Sequence, residues 1–581
     1  MMKRIEQDFE TIVIGGGGAG LTAAIELAKN KHKVAIISKV PPIFSHTTAA
    51  QGGINANFGN VEEDDWRWHM YDTVKSSDWL GDQDSIEIMC KNANEAVLFL
   101  QKIGVDFDLQ QNGSIYQKKY GGQTLDYGKG KLAHRACSVS DRTGKEIMSN
   151  LLKEAIKHNV IFINYNFVID LMIQDGVCGG VISYDIPTGN MVTFKANNVI
   201  IATGGYSQIY KETTSSNTCT GDGIALVANK KISLKDMEFI QFHPTALWGT
   251  GILISETARS IGGKLFNKNL EAFMSKYAPQ YADLATRDIV ARSMATEINM
   301  GNGCGAKGDY LFLDLTNIPK DMLDSKITNV RHVCNSFLKI NPESDFIPVS
   351  PAAHYTMGGI PTNQFCEVIN IVKNKETIIN GLYAIGEAAC YSAHGANRLG
   401  CNSLLDIIVF GMEVSKHILN KTPKNTLLFS NYNFVNHIPP HEGNIDAKIL
   451  IEKIKNISQL SMGMHRTKNS LKSAYKKLRE CGMLINKIKI SSQQKSWNNE
   501  MVEFFELRNL YICALHTCYA ALMREESRGS HYREDFPIRD DVKYCKHSFT
   551  YIDDNGENIE YIETRKATKN VEFFPLETRN Y

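Results

Sequence analysis

Three glycines near the start of the chain have the spacing of a phosphate-binding turn. Gly15, Gly17 and Gly20 form a G-x-G-x-x-G pattern. Because glycines carry no side chains, such a turn lets backbone N–H groups and a helix N-terminus approach a pyrophosphate. The apolar, β-branched run 11–14 precedes the turn, and apolar residues recur at helical spacing after it, which predicts a strand, a turn and a helix. This context indicates a dinucleotide site.

The end of the second predicted strand helps to distinguish the common dinucleotides. Residues 34–37 are apolar and β-branched and read as this strand. An NAD-binding unit places an acidic residue after it, about 20 positions beyond the turn, to hold a ribose. This chain has Ser38 and Lys39 there instead, which favours FAD over NAD.

Two later segments are also predicted to be strands, and the residues at their ends could face a ligand. The run 199–202 ends in Thr-Gly-Gly, and the run 382–385 ends in Gly386 and Glu387. Open α/β sheets bind ligands outside the carboxyl ends of their strands. Three such ends, separated by hundreds of residues, therefore predict one nucleotide domain interrupted by an insertion.

The remaining pattern completes the predicted architecture. Helical periodicity dominates residues 446–523, and a short polar segment from residue 547 is strand-like. We predict an α/β fold in which a Rossmann-like FAD-binding domain carries an inserted α+β capping domain and is followed by a helical domain and a small C-terminal domain. The predicted limits are 1–238 and 355–425 for the FAD-binding domain, 239–354 for the capping domain, 440–530 for the helical domain and 531–581 for the C-terminal domain.

Composition excludes several function classes. The chain has 64 Lys plus Arg and 63 Asp plus Glu, so no global field favours nucleic acid. No apolar run approaches the roughly 20 residues of a membrane-spanning helix. The 13 cysteines include no C-x-x-C pair, so we expect reduced thiols and no metal site. The first ten residues lead directly into a strand, so we expect neither a signal nor a transit peptide.

Residues 45–54, Ser-His-Thr-Thr-Ala-Ala-Gln-Gly-Gly-Ile, resemble the succinate dehydrogenase and fumarate reductase flavoprotein family. Residues 64–74 and 78–83 are similar to its succinate dehydrogenase branch in particular. The resemblance covers essentially the whole chain, with further matching stretches at 218–223, 241–245, 354–361, 394–405 and 524–541.

The resemblance implies a covalently held FAD. In this family the histidine of the Ser-His-Thr motif bonds to the 8α-methyl group of FAD, a role that falls to His46. Asp222 and Glu387 are plausible acceptors for ribose hydroxyls, although helix capping is a competing role for Asp222. The full set of implied cofactor contacts is His46, Gly15, Gly16, Gly17, Gly18, Ala19, Gly20, Ser38, Lys39, Ser45, Thr47, Gln51, Gly52, Gly53, Asp222, Glu387, Ser403 and Leu404.

The family oxidises succinate to fumarate by hydride transfer to FAD. Succinate has two carboxylates, so its site needs at least two clusters of donors or cations. The family places substrate-binding groups at His243, Ser255, His354 and Arg398. An arginine fork can clamp a carboxylate with two hydrogen bonds and so fix the C–H bond that faces the flavin. A structural histidine or a solvated arginine is the competing interpretation at each position.

The proton released in this oxidation needs an acceptor. The family gives this role to Arg287, relayed through Glu256 and Arg259. Because a guanidinium essentially never loses its proton in water, the relay lets Arg287 pass the proton toward Glu256 as it arrives. The three-residue spacing of Glu256 and Arg259 puts both side chains on one face if the segment is helical.

Three residues depart from the family pattern. Ser255 stands where threonine usually precedes the glutamate, so a hydroxyl donor survives. Ile261 stands where a glutamate is common, and Cys401 replaces a small residue. The sequence alone gives no physical account of Ile261.

The resemblance also implies partners and a location. Electrons would pass to an iron–sulfur subunit and then to quinone on membrane-anchor subunits, within the tricarboxylic acid cycle and the electron transport chain. The protein would be peripheral, on the cytoplasmic face of a bacterial inner membrane or the matrix face of a mitochondrial one, and the lack of a transit peptide favours the bacterium. No nucleic-acid partner is expected.

Three alternatives remain open. A fumarate reductase shares the chemistry and differs in its physiological direction. An L-aspartate oxidase resembles this fold but lacks the covalent histidine, so His46 argues against it. A catalytically inactive flavin-binding assembly protein would require Arg287, His354 or Arg398 to be misplaced.

Overall fold

The computed structural model of the protein describes residues 5–421, 443–554 and 556–579. The predicted end of the FAD-binding domain at residue 425 and the predicted start of the helical domain at residue 440 lie outside these residues. Within the described ranges, no helix is long and apolar enough to cross a membrane.

The first segment builds most of a large sheet and the helices that cover it. Strand β1, which is buried at residues 11–14, leads through the glycine turn into α1, as the sequence predicts, and β2 is the next strand. The elements are β1 (Ile5–Ile14), α1 (Gly18–Lys29), β2 (Val34–Ser38), β3 (Ile54–Asn55), α2 (Trp66–Ser76), α3 (Gln83–Lys91), α4 (Ala93–Lys102), β4 (Gln117–Thr124), β5 (Leu132–Cys137), α5 (Thr143–Lys157), β6 (Ile161–Asn164), β7 (Asn166–Gln174), β8 (Val177–Asp185), β9 (Asn190–Ile201), α6 (Asp222–Asn229) and β10 (Leu234–Lys235).

The next segment forms a second, smaller unit with its own apolar core. An antiparallel sheet in the order β11-β14-β13-β12 supports short helices, which is an α+β arrangement. Its elements are β11 (Ile240–Leu247), α7 (Thr257–Ser260), β12 (Lys264–Phe266), α8 (Met274–Tyr277), α9 (Arg287–Glu297), β13 (Leu311–Asp314), α10 (Lys320–Lys326), α11 (Thr328–Leu338) and β14 (Ile347–Thr356).

The chain then returns to the large sheet through β15 (Ile360–Pro361), β16 (Glu367–Val372), β17 (Lys375–Ala384), β18 (Ala389–Cys390) and α12 (Asn402–Asn420). The sheet has the order β16-β17-β8-β9-β1-β2-β6, with β7 beside β8. Strand β9 pairs in parallel with both β1 and β17, and Ile201 lies beside Ile14 on one side and Ala384 on the other. The three predicted ligand-facing strands therefore end side by side, which confirms one nucleotide domain interrupted by an insertion.

The C-terminal part is helical and then forms a hairpin, as predicted. Helices α13 (Ala447–Ser461), α14 (Lys468–Ile485) and α15 (Asn499–Met523) pack on one another and on the FAD-binding domain. They are followed by α16 (Asp541–Tyr544), β19 (Lys546–Asp553) and β20 (Gly556–Glu563). Strand β19 pairs with β10, which ties the hairpin to the first segment.

Buried ion pairs fasten the end of α15 to the first segment. Arg524 is fully buried, and its Nε donates to Glu238 at 2.6 Å while NH1 donates to Glu526 at 3.0 Å. Arg528 also binds Glu526, at 2.8 Å. Because an uncompensated buried charge is costly, each member of such a network depends on its partners.

Candidate active site

A cleft of about 810 Å³ lies at the carboxyl ends of β1, β9 and β17. All of the predicted cofactor contacts line it except Gly20, and the predicted substrate or catalytic residues Arg287, His354 and Arg398 line it as well. Its size lies within the range of small-molecule and cofactor sites. The structure thus brings together residues that are hundreds of positions apart in the sequence.

The glycine turn has the geometry of a phosphate cradle. Gly15 has φ +106°, and a Cβ there would overlap the carbonyl oxygen of Ala202. Gly20 supports the turn and does not line the cleft, because its Cα lies so close to Gly15 that a Cβ would overlap the Gly15 carbonyl oxygen. Helix α1 begins at Gly18 and presents its N-terminus to the cleft. These residues fit the pyrophosphate of a dinucleotide.

Lys39, at the end of β2, is tied to acidic groups from other parts of the chain. Its Nζ lies 2.9 Å from Asp222 Oδ2 and 2.8 Å from Glu506 Oε1. Burial alone would lower the pKa of Lys39, but the two carboxylates outweigh it and raise the pKa. Asp222 does not cap α6, whose N-cap residue is Gly221 and has no side-chain cap.

His46 begins a short 3-10 turn at the cleft. Its Nδ1 accepts a hydrogen bond from the backbone N–H of Ser216 at 3.2 Å, which leaves Nε2 for another partner. Burial and the positive charge of Arg398 lower the pKa of His46 to about 4. The imidazole is therefore neutral near pH 7.

Glu387 follows Gly386, which has φ +61° at the end of the third ligand-facing strand. The Glu387 carboxylate accepts hydrogen bonds from the backbone N–H of Thr356 at 2.9 Å and from its hydroxyl at 3.1 Å. Burial raises the pKa of Glu387 to about 7 despite these donors. Its remaining lone pairs can accept from a polar ligand in the cleft.

Two arginines meet at the boundary between the cleft and the capping domain. Arg398 NH2 donates to Gln241 Oε1 at 3.0 Å, and Arg287 NH1 donates to the same oxygen at 3.3 Å. Arg398 is 2% exposed and forms no ion pair with any carboxylate of the described residues. Burial and the charge of Arg287 lower the pKa of Arg398 to about 10. Because an unpaired buried charge is costly, an anionic ligand would stabilise the Arg398 guanidinium.

Two histidines lie beside these arginines. The ring centroids of His243 and His354 are 5.1 Å apart. His354 Nδ1 lies 2.7 Å from the Thr214 hydroxyl, and His243 Nδ1 accepts from the Thr245 N–H at 3.2 Å. Burial and the neighbouring arginines hold the pKa of each histidine well below the usual value. His354 lines the cleft, whereas His243 is buried behind it.

The first link of the predicted proton relay is formed. Arg287 Nε donates to Glu256 Oε2 at 2.9 Å. Burial would raise the pKa of Glu256, but Arg287 and Arg259 lower it, so the carboxylate is charged. Arg259 makes no side-chain hydrogen bond to Glu256; its NH1 donates to the Asp283 carbonyl, while Nε and NH2 have no partner among the described residues. The second link is therefore electrostatic only.

The three departures from the family pattern have different surroundings. Ser255 is buried, and its hydroxyl donates to Thr257 Oγ1 at 3.1 Å within the capping domain. Ile261 packs against the apolar core of the capping domain. Cys401 lines the cleft with φ +64°, and burial raises the pKa of its thiol to about 12.

Sequence reasoning missed two polar residues that the site depends on. Gln241 bridges both arginines, and its position within the matching stretch 241–245 was the available signal. Glu506 lies on α15 and reaches Lys39 across 467 positions of sequence. No spacing pattern could have revealed that contact, because it arises only when the helical domain packs on the FAD-binding domain.

Known families match most of the chain. The FAD binding domain family matches residues 10–404, and the family described as Fumarate reductase flavoprotein C-term matches residues 451–581. The chain is 44% identical to the succinate dehydrogenase flavoprotein subunit of Rickettsia conorii, over 96% of this chain and 95% of that protein. It is 41% identical to the mitochondrial succinate dehydrogenase (ubiquinone) flavoprotein subunit of Oryza sativa, over 99% of this chain and 94% of that protein.

Solved structures share the whole architecture. The FrdA chain of an E. coli quinol fumarate reductase mutant matches with a TM-score of 0.89 at 28% identity, covering 99% of both chains. Mycobacterium smegmatis Sdh1 in complex with UQ1 matches with a TM-score of 0.80 at 28% identity, covering 96% of this chain and 95% of that chain.

Proposed function

Because the chain belongs to the succinate dehydrogenase and fumarate reductase flavoprotein family, we propose that it is the FAD-carrying subunit that oxidises succinate to fumarate. The observation that carries the proposal is the uncompensated charge of Arg398 beside Arg287 at the cleft. A dicarboxylate supplies the negative charge that Arg398 lacks. The covalent link, the substrate contacts and the partners are parts of this proposal.

Arg398 and His354 are the groups proposed to hold the two carboxylates. The Arg398 guanidinium lies 4.5 Å above the ring of Tyr355, and Gln241 accepts one of its N–H groups, so its fork has a fixed direction. A neutral His354, whose Nδ1 is engaged by Thr214, has Nε2 left to meet a carboxylate. Two anchored ends leave the substrate little freedom to rotate, which lowers the entropic cost of reaching the reactive geometry.

FAD, when bound in the cleft, supplies the acceptor for the hydride. The residues of this chain exclude water and move the proton. Arg287 is 9% exposed, and Glu256, directly behind it, is 4% exposed. A proton taken from the substrate carbon passes from Arg287 toward the Glu256 carboxylate along their 2.9 Å contact, so no neutral guanidine has to persist. Arg259 stabilises the charge on Glu256 from the far side.

His46 is proposed to form a covalent bond to the 8α carbon of FAD. The neutral ring, with Nδ1 occupied by Ser216 and Nε2 left available, is suited to forming that bond. Replacing a hydrogen of the methyl group by an electron-withdrawing imidazolyl group makes the flavin easier to reduce. We expect His46→Ser to bind FAD that is released on acid denaturation and to lose succinate oxidation more than fumarate reduction. Flavin that stays attached to the denatured variant would contradict the role of His46.

Electrons from the flavin are proposed to leave through another protein. The described residues contain no group of His, Cys, Asp or Glu side chains arranged to hold a metal ion. The family implies an iron–sulfur subunit as the next carrier and membrane-anchor subunits that bind quinone. In that assembly this chain is peripheral to the membrane, on the cytoplasmic face in a bacterium or the matrix face in a mitochondrion.

The two enzymatic alternatives make different demands on the site. A fumarate reductase uses the same residues in the reverse direction, and the E. coli enzyme of that class shares the fold. An L-aspartate oxidase would also bind a dicarboxylate, so Arg287 and Arg398 do not distinguish it, but it would lack the role proposed for His46. Both arginines and His354 lie together at the cleft, which argues against an inactive assembly protein.

The direct test is the rate at which the purified chain reduces an artificial electron acceptor. We expect reduction with succinate and none with L-aspartate. Malonate, a dicarboxylate without an oxidisable C–C bond between two methylene groups, should inhibit competitively. Activity with L-aspartate alone would assign the chain to the oxidases instead.

A further inference from the structure

Helix α15 of the helical domain reaches the cofactor cleft through side chains on one face. Glu506 Oε1 accepts from Lys39 Nζ at 2.8 Å, and Asn509 Nδ2 donates to Asp222 Oδ1 at 2.9 Å. The two residues are three apart and therefore lie on the same side of the helix. One turn further, Cys513 packs on the Gly221 carbonyl at 3.8 Å.

These contacts fix the orientation of the Asp222 carboxylate. Oδ1 accepts from Asn509 and from the hydroxyl of Thr220 at 2.7 Å. Oδ2 faces Lys39 Nζ at 2.9 Å. Lys39, in turn, lies between the carboxylates of Asp222 and Glu506, so neither the ammonium nor Asp222 can rotate without breaking a charge-assisted contact.

The contacts of Lys39 and Asp222 explain how the site has a carboxylate although no acidic residue follows β2. In dinucleotide-binding folds the residue after the second strand faces the ribose of the adenosine, and it is usually acidic. Here that position holds Lys39, and the carboxylate comes from Asp222, the first residue of α6, which lies 2.9 Å from Lys39 Nζ. Lys39 and Asp222 both line the cleft, whereas Glu506 and Asn509 stand behind them.

We propose that Glu506 and Asn509 are positioning residues of the FAD site, which orient the Lys39–Asp222 pair toward the adenosine ribose. The helical domain then contributes to the cofactor site, and its packing against Lys39 and Asp222 slows the release of FAD that is not covalently bound. This inference rests on the FAD site proposed above and adds to it residues outside the FAD-binding domain.

The test measures how fast FAD leaves the protein when it is not covalently bound. In a His46→Ser background, the holoprotein is diluted and the flavin fluorescence regained on release is followed. We expect each variant to speed release about tenfold, since Glu506→Gln removes the negative charge that faces Lys39 and Asn509→Leu removes the hydrogen bond to the Asp222 carboxylate. Glu525→Gln is the matched control, because Glu525 lies just beyond the end of α15, pairs with Lys468 at 3.1 Å and does not line the cleft.

A second measurement separates positioning from general loosening of the helical domain. If Glu506 acts through Lys39, adding Glu506→Gln to a Lys39→Met background should change the release rate by less than twofold. Release rates for Glu506→Gln and Asn509→Leu equal to that of the Glu525→Gln control would overturn the inference while leaving the FAD site intact. Failure of the His46→Ser protein itself to bind FAD would overturn both this inference and the proposed site.

Discussion

Replacement of Gln241 by methionine tests whether the amide that joins the two arginines sets their positions. Gln241 is fully buried, and its Oε1 accepts from Arg287 NH1 at 3.3 Å and from Arg398 NH2 at 3.0 Å. Its Nε2 donates to Asn397 Oδ1 and to the Arg398 carbonyl, each at 2.8 Å. Methionine keeps a similar volume but removes all four hydrogen bonds.

The size of the effect follows from the two bonds to guanidinium groups. A hydrogen bond to a charged group contributes about 1.5–3 kcal/mol, and the 3.3 Å bond is the weaker one. A combined loss of about 3 kcal/mol in transition-state stabilisation corresponds to a kcat/KM for succinate roughly a hundredfold lower. Both kcat and KM should change, because Arg398 is proposed to bind the substrate and Arg287 to move its proton.

A second variant, Gln241→Glu, separates position from charge. The new carboxylate still accepts from both arginines, so their positions are kept. Its negative charge, however, neutralises the positive charge of Arg398 that is proposed to bind the substrate. At an effective dielectric constant of about 20 a charge 4 Å away contributes about 4 kcal/mol, so we expect KM to rise at least tenfold and kcat to change less.

Steady-state kinetics with an artificial electron acceptor measures both variants, with flavin content determined beside each assay. Gln280→Met is the control, because it makes the same substitution at an exposed position of the capping domain. A kcat/KM for Gln241→Met within threefold of the wild-type value, at equal flavin content, would refute the proposed role of Gln241.

Three further predictions follow from the same structure. Arg287→Lys keeps the charge but not the 2.9 Å contact with Glu256, so we expect kcat about 10²–10⁴-fold lower with malonate inhibition nearly unchanged; most of the turnover remaining would exclude Arg287 as the proton carrier. The pKa of Glu387 is raised from 4.5 to about 7, so its contribution to the stability of the flavin-free protein is present below pH 4.5 and lost as the pH rises to about 7. The unfolding free energy of the wild type minus that of Glu387→Gln should therefore fall over that range. A constant difference would contradict this prediction. Arg524→Leu should cost about 3–5 kcal/mol in urea unfolding, because it leaves the buried Glu238 without its partner, whereas the exposed Arg67→Leu should cost less than about 1 kcal/mol.

The sequence predicted the nucleotide domain well because its signals are local. The strand before Gly15 and the helix after it follow from short-range patterns of apolar residues and glycine. The three strand ends could be assigned to one sheet because ligand-facing ends of parallel strands share an edge. The pairing of Ile201 with both Ile14 and Ala384 confirmed that reasoning.

The details of the site depend on contacts between distant segments, which local patterns do not contain. Ser255 stays a predicted substrate contact, and the hydrogen bond from its hydroxyl to Thr257 Oγ1 had no signal in the sequence. The relay from Glu256 to Arg259 stays a prediction: the charge of Arg259 lowers the pKa of Glu256, and the hydrogen bond from Arg259 to the Asp283 carbonyl had no signal in the sequence. Glu506 carried no sequence signal, because its role arises from the packing of one domain on another.

The most direct test of the account is the absorbance of the flavin band in the FAD-loaded protein as succinate is added without oxygen. We predict bleaching by succinate, no bleaching by L-aspartate, and loss of the succinate response in Arg398→Met, which removes the uncompensated charge at the cleft. An unchanged flavin spectrum with succinate in the wild-type protein, or full bleaching in Arg398→Met, would contradict it.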